Sequence, residues 1–171
     1  MATTLPALQV RLTRRTDGTV VLTCVRTDGS SSWQRHDRHG EFFSFHDLRH
    51  FAVEETLGIQ RGFFGLIADG WDIADTEGKG PRGAVPADAV LAEQLVGLLD
   101  RERVGGAPPL TAAEVNAHLA EFAVGGRAAQ RTLSDAELDT VRQRSEELHT
   151  AWAHTAPGST LELTFVRATA R

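Results

Sequence analysis

The stretch LQVRLTRRTDGTVVLTCVRTDGSSSW, residues 8–33, decides the fold class. Apolar residues alternate with polar ones on both sides of two Asp-Gly dipeptides, at residues 17–18 and 28–29. Alternation is typical of a strand with one buried face, and Asp-Gly favours a tight hairpin turn because both positions tolerate positive φ. The stretch therefore predicts a three-stranded antiparallel meander, with strands at residues 8–12, at residues 19–26 and in a short segment through Trp33.

The remainder of the chain predicts mainly helices. Three capping boxes, each a Ser or Thr with an acidic residue three positions later, precede segments of helical periodicity: Ser44/Asp47, Thr111/Glu114 and Ser134/Glu137. The predicted helices run from Ser44 to Leu57, over one or two turns within 62–68, from Ala87 to Val104, from Thr111 to Phe122 and from Ser134 to about His154. Residues 75–86, rich in Gly and Pro, predict an exposed loop.

A final alternation of apolar and polar residues, with Leu161, Leu163 and Phe165 on one face, predicts a fourth strand that rejoins the N-terminal sheet. The expected fold class is α+β: an antiparallel sheet of about four strands with four to five helices packed on one face. A length of 171 residues suits one domain, 1–171.

Composition excludes several classes of function. The net charge is −5, and the arginines between Arg11 and Arg49 are interleaved with acidic residues, so no nucleic-acid partner is expected. The single cysteine, Cys24, excludes a multi-cysteine zinc site and fits a reducing compartment. No run approaches the ~20 apolar residues of a membrane span, and the N-terminus lacks a signal-peptide pattern. We expect a cytoplasmic protein with no membrane partner.

Aromatic and histidine residues concentrate in one part of the chain. Six of the eight phenylalanines lie within residues 42–64, and four of the seven histidines lie within residues 36–50. A ligand site combines an apolar wall with a few converging polar groups. The sequence therefore predicts the functional site between Trp33 and Glu77, with Phe45, Phe64 and Trp71 as its apolar wall.

Two histidines on the predicted helix have the spacing of metal ligands. His46 and His50 are one turn apart, which lets both imidazoles approach one ion. Glu54 follows one turn later and is predicted as a third ligand beside His50 or as a general base. Because His46 and Glu54 are separated by a rise of about 12 Å, a group from elsewhere must complete the site. The candidates are Asp69, Asp72, His36 and His39.

Two histidines and a carboxylate with open positions suit zinc or ferrous iron. Such an ion polarises a substrate oxygen or lowers the pKa of bound water. The first hypothesis is therefore a metal-binding domain, hydrolase-like or otherwise acting on a small molecule. The competing hypothesis is a non-catalytic binding or assembly module, in which the segment around Phe63 and Phe64 packs against a partner or forms a homodimer and the histidines are incidental.

The segments HDLRHFAVEETLG (46–58) and GFFGLIADGWDI (62–73) resemble a bacterial family of small uncharacterised proteins. Members of that family have an HDLxHxxVE helix followed by GFFGLI–GWDI. The resemblance implies a functional site on this helix and carries no known activity.

Two shorter motifs bear on the chemistry. The pattern His46-Asp47-x-x-His50 is similar to the HDxxH zinc-binding helix of a ubiquinone-biosynthesis family. In that family a glutamate follows the second histidine by 12 residues; Gly62 occupies this position here, so Glu54 would have to replace it. The pattern His46-x-x-Arg49 also resembles the box of tyrosine recombinases, but the chain contains no tyrosine and that activity is excluded.

Overall fold

The computed structural model describes residues 7–106 and 108–167. It contains one antiparallel sheet of four strands in the order β3-β2-β1-β4: β1 (Leu8–Arg14), β2 (Val20–Val25), β3 (Ser31–His36) and β4 (Thr160–Phe165). Val10 pairs with Cys24 on one side and with Leu163 on the other, as the alternation requires. Gly18 and Gly29 adopt φ of 84° and 83° in the two hairpin turns. The meander and the returning strand are confirmed.

Five α-helices follow the meander: α1 (Gly40–Leu57), α2 (Phe63–Ala68), α3 (Ala87–Gly105), α4 (Ala112–Ala123) and α5 (Asp135–Ala153). A short 3-10 helix, Ile73–Glu77, extends into the segment predicted as loop. The sheet and five helices confirm the α+β class. Within the described part of the chain, none of the helices combines the length and the apolar character needed to cross a membrane.

Helix α1 lies at the centre of the molecule and contributes to two apolar clusters. Phe51 packs with the buried face of the sheet and with Trp152 of α5. Val53 packs with residues of α3, α4 and α5, among them Leu95. The opposite face of the sheet carries polar pairs such as Arg11–Glu162. These contacts hold α1 from two sides, and its polar residues His46 and His50 face α3.

Cys24 is a buried member of the sheet cluster. Burial raises the pKa of its thiol to about 12, with smaller effects from nearby carboxylates. A thiol in this state is not a nucleophile at neutral pH. The residue acts as a small apolar core side chain.

Two of the three predicted capping boxes are present. The hydroxyl of Thr111 accepts from the Glu114 amide, and Ser134 does the same for Glu137. The third, at Ser44, is wrong. Helix α1 begins at Gly40, and its N-cap residue His39 has φ 56° and forms no side-chain cap.

Ser44 lies one turn inside α1, fully buried, and its hydroxyl donates to the carbonyl of Gly40 at 2.7 Å. The acid of the expected box, Asp47, faces His36 instead. Gly40 lets the start of the helix lie close to β2: a Cβ at this position would lie 3.0 Å from the Val20 side chain.

A pair of substitutions distinguishes a true cap from an internal serine. Ser134→Ala should lower the free energy of unfolding by about 1 kcal/mol because the Glu137 amide loses its acceptor. Ser44→Ala should change it by less than about 0.5 kcal/mol, because a hydroxyl bonded to the carbonyl four residues earlier adds little to a helix. Urea denaturation of both variants measures the difference; equal losses would contradict the assigned start of α1.

Candidate metal centre

Three side chains from two helices converge at the interface of α1 and α3. One nitrogen each from His46 and His50 and one oxygen from Glu93 all lie within 4.8 Å of one another. His50 Nε2 is 2.9 Å from Glu93 Oε2, and His46 Nε2 is 3.9 Å from Glu93 Oε1. The one-turn spacing puts the two imidazole centroids 4.9 Å apart. The structure thus brings together the predicted histidines and adds a carboxylate that the sequence analysis did not identify.

The packing of α1 against α3 positions these groups. Leu57 of α1 and Leu91 of α3 belong to one apolar cluster. A buried ion pair, Arg49 Nε to Asp100 Oδ1 at 3.0 Å, joins the same helices further along. These contacts bring His46 and His50 of α1 against Glu93 and Asp100 of α3.

Each imidazole has a carboxylate behind it as well as one in front. His46 Nδ1 lies 2.7 Å from Asp100 Oδ2, and His50 Nδ1 lies 3.4 Å from Glu54 Oε1. The hydrogen bond from His46 Nδ1–H to Asp100 fixes the tautomer of that ring and leaves its Nε2 free as a ligand. The contact from His50 Nδ1 to Glu54 lacks hydrogen-bond geometry and acts through charge. Both rings therefore direct Nε2 toward Glu93, an arrangement common around protein-bound metals.

Glu54 lies behind His50 and is 1% exposed. Its carboxylate accepts hydrogen bonds from the backbone amides of Phe64 at 3.0 Å and Gly65 at 3.2 Å, in the first turn of α2. Gly62 is needed beside it, since a Cβ there would lie 2.4 Å from the Glu54 carboxyl carbon. Glu54 therefore connects α2 to His50, and the carboxylate in front of the two Nε2 atoms is that of Glu93.

Burial lowers the pKa of His50, but interactions with the carboxylates of Glu54 and Glu93 outweigh it and raise the pKa to about 10. The hydrogen bond from His50 in turn lowers the pKa of Glu93. Because the pKa of His50 is higher in the folded state than its unfolded value of about 6.5, protonation of His50 stabilises the fold. This stabilisation is fully present below pH 6.5 and is lost as the pH rises through about 10. In the metal-free protein at neutral pH, His50 is thus an imidazolium that donates to Glu93.

The three groups lie on the wall of a cavity of about 350 Å³. Strand β3, helices α1, α2 and α3, the 3-10 helix and the segment before α3 enclose it. Its apolar lining consists of Phe43, Phe63, Leu66, Ile73, Val85, Ala89 and Val90. A volume of this size suits a small molecule.

The three residues predicted as the apolar wall are not among the lining residues. Phe64 is fully buried in the sheet cluster. Phe45 packs on the other side of α1 against His149. Trp71 lies beneath Arg82, whose guanidinium is 5.4 Å from the ring centroid. Neighbouring apolar residues of the same segments, Phe43 and Phe63, line the cavity instead.

The four additional candidate ligands lie in different places. His36 lines the cavity and faces Asp47. His39 is exposed at the start of α1. Asp69 forms an ion pair with Arg167, and exposed Asp72 lies 3.8 Å from Arg26.

Glu93 was not predicted as a ligand, because the apolar periodicity that predicted its helix says nothing about the polar residues on the other side. Glu93 and Asp100 are seven residues apart on the predicted helix, two turns, and therefore share one side of it. Across the interface, His50 meets Glu93 and His46 meets Asp100. This pairing is visible in the sequence only once the two helices are known to be neighbours.

Comparison with known proteins gives no further assignment: no family model matches the chain, and neither the curated proteins nor the solved structures include a match.

Proposed function

We propose that His46, His50 and Glu93 bind one divalent transition-metal ion, zinc or ferrous iron, and that the ion acts on a small molecule held in the adjoining cavity. The observation that carries the proposal is the convergence of two Nε2 atoms and a carboxylate within 4.8 Å, with a carboxylate behind each imidazole. Two histidines and one carboxylate leave coordination positions open for water or substrate.

The side chains can reach ligand distances with small movements. Around a tetrahedral zinc ion with bonds of about 2.0 Å, ligand atoms are about 3.3 Å apart. His50 Nε2 lies 2.9 Å from one carboxylate oxygen of Glu93, and His46 Nε2 lies 3.9 Å from the other, so the carboxylate turns for one oxygen to approach both nitrogens. The side chain of Glu93 is 58% exposed, so it is free to adjust, whereas His50 is held in place.

The chemistry available at such an ion is hydrolase-like. Two neutral imidazoles and one carboxylate leave a divalent ion with a net positive charge, which polarises a bound oxygen or lowers the pKa of bound water. The carboxylate of Glu54 accepts hydrogen bonds from two backbone amides. We therefore assign Glu54 to orienting His50 and not to proton transfer in the cavity. The reaction type beyond this class is set by the substrate.

Metal analysis of protein purified without a histidine tag tests the proposal. Wild type is expected to hold about one zinc or iron per chain, and His46→Ala and His50→Ala should each reduce the content to background because two ligands bind too weakly. His154→Ala, which removes an exposed histidine at the end of α5, is the matched control and should keep its metal. Wild type that stays metal-free in the presence of excess zinc and iron would refute it.

The competing function, an assembly module that buries Phe63 and Phe64 against a partner, has less support. Phe64 is 0% exposed in the core of the chain itself. Phe63 is partly buried and lines the cavity beside His50. Both rings therefore already have intramolecular contacts that account for them.

A further inference from the structure

A second polar group lies in the same cavity, formed by His36 of the edge strand β3 and Asp47 of α1. His36 Nε2 is 3.5 Å from Asp47 Oδ2, and the two side chains are 7% and 10% exposed. Among the described residues neither atom has a hydrogen-bond partner. Buried polar atoms are nearly always satisfied, because leaving them unpaired costs free energy. Because the two atoms face each other and have almost no accessible surface, a ligand group can bond to both only after a side chain turns toward the cavity.

Apolar side chains lie beside the pair. The ring of Phe43 stacks on the imidazole of His36, with centroids 4.7 Å apart and planes 13° apart. Leu66 and Ile73 line the cavity nearby. Asp47 follows His46 directly and lies one turn before His50, so it shares the cavity-facing side of α1 with them. One molecule in the cavity can thus lie beside both the metal centre and the His36–Asp47 pair.

We propose that His36 and Asp47 bind a hydroxyl group of a small molecule whose other end coordinates the metal at His46, His50 and Glu93. This inference rests on the proposed function and specifies its substrate class. A hydroxyl both donates and accepts: it donates to the Asp47 carboxylate and accepts from the Nε2–H of His36. Rotation of Asp47 about its last bond, a soft torsion, turns Oδ2 toward the cavity. The occupant has an apolar body that contacts Phe43 and its neighbours.

Cobalt(II)-loaded protein provides the test, because its visible spectrum reports binding at the metal. Carboxylic acids of three lengths are titrated in pairs that differ only by hydroxyl or methyl at the far end: γ-hydroxybutyrate and valerate, δ-hydroxyvalerate and hexanoate, ε-hydroxyhexanoate and heptanoate. In these acids the hydroxyl is too far from the carboxylate to chelate the same ion readily. At one length or more the hydroxy acid should bind at least about tenfold tighter, since a site built to bond a hydroxyl discriminates strongly against its absence.

Three variants assign that preference to the pair. In His36→Phe and Asp47→Leu it should fall to about twofold or less, while the affinity for the methyl acid stays the same. Gln34→Leu, which removes another polar lining residue from β3, should keep it. Circular dichroism confirms that each variant is folded, and the absence of any preference in wild type would refute the subsite whether or not the variants fold.

The outcomes separate the two proposals. If cobalt does not bind wild type, both the metal centre and the hydroxyl subsite are refuted. If cobalt binds but no hydroxy acid is preferred at any length, or the preference persists in both His36→Phe and Asp47→Leu, the subsite is wrong and the metal centre stands.

Discussion

Glu54→Ala is expected to lower the free energy of unfolding by about 3–5 kcal/mol, the cost of removing one partner from a buried charged pair. The substitution deprives two backbone amides, those of Phe64 and Gly65, of their acceptor. It also leaves His50 without the carboxylate behind it, and opens a space where Gly62 packs. Urea denaturation followed by circular dichroism measures the loss.

Glu55→Ala is the matched control for this substitution. Glu55 is the next residue of α1 and pairs with Arg144 at 2.7 Å, but both side chains are about one-third exposed. Such a surface pair contributes at most about 1 kcal/mol. If Glu54→Ala cost no more than Glu55→Ala, the assigned role of Glu54 in holding α2 and His50 would be wrong.

The affinity for zinc is expected to rise about tenfold per pH unit between pH 6.5 and 8.5, about 100-fold in all, because binding displaces one proton from the centre. His50 is the source of this proton: its pKa is raised to about 10 even though burial alone would lower it, since Glu54 and Glu93 favour the imidazolium. Below pH 10 the metal must therefore compete with a proton, and raising the pH removes the competitor.

Calorimetry in two buffers with different ionisation enthalpies measures this release directly, with about one proton expected per zinc near neutral pH. His154→Ala should give the same slope as wild type, since that exposed residue lies outside the centre. A pH-independent affinity without proton release would show that His50 carries no proton for the metal to displace in this pH range, which would contradict its raised pKa.

The sheet could be predicted because its signals are local. The first two strands of the meander have their own alternation, and the Asp-Gly turns fix where one strand ends and the next begins. The third strand, β3, was predicted from its turn, since its buried residues Ser32 and His36 are polar. The returning strand β4 pairs with β1 over six residues, and its alternation alone predicted the buried face. The capping boxes predicted the correct helix starts at Thr111 and Ser134 because those boxes lie at the exposed ends of helices. At Ser44 the same pattern occurs inside a helix, where the hydroxyl and Asp47 have other partners.

The metal centre could be predicted only in part, for a related reason. His46 and His50 share one helix, so their spacing shows that the two rings face one place. Glu93 is 43 residues beyond His50, and its arrival there depends on how α1 packs against α3. Periodicity within a single helix carries no information about its neighbour. The predicted apolar wall was wrong for a similar reason, since the sequence shows that aromatic residues cluster but not which of them turn inward to the core.

Anomalous X-ray diffraction at the zinc edge, from crystals of zinc-loaded wild type, tests the metal centre most directly. We expect one strong peak between α1 and α3, about 2.0–2.2 Å from Nε2 of His46, Nε2 of His50 and a carboxylate oxygen of Glu93. A map with no peak there, and with Glu93 still hydrogen-bonded to His50, would contradict the account.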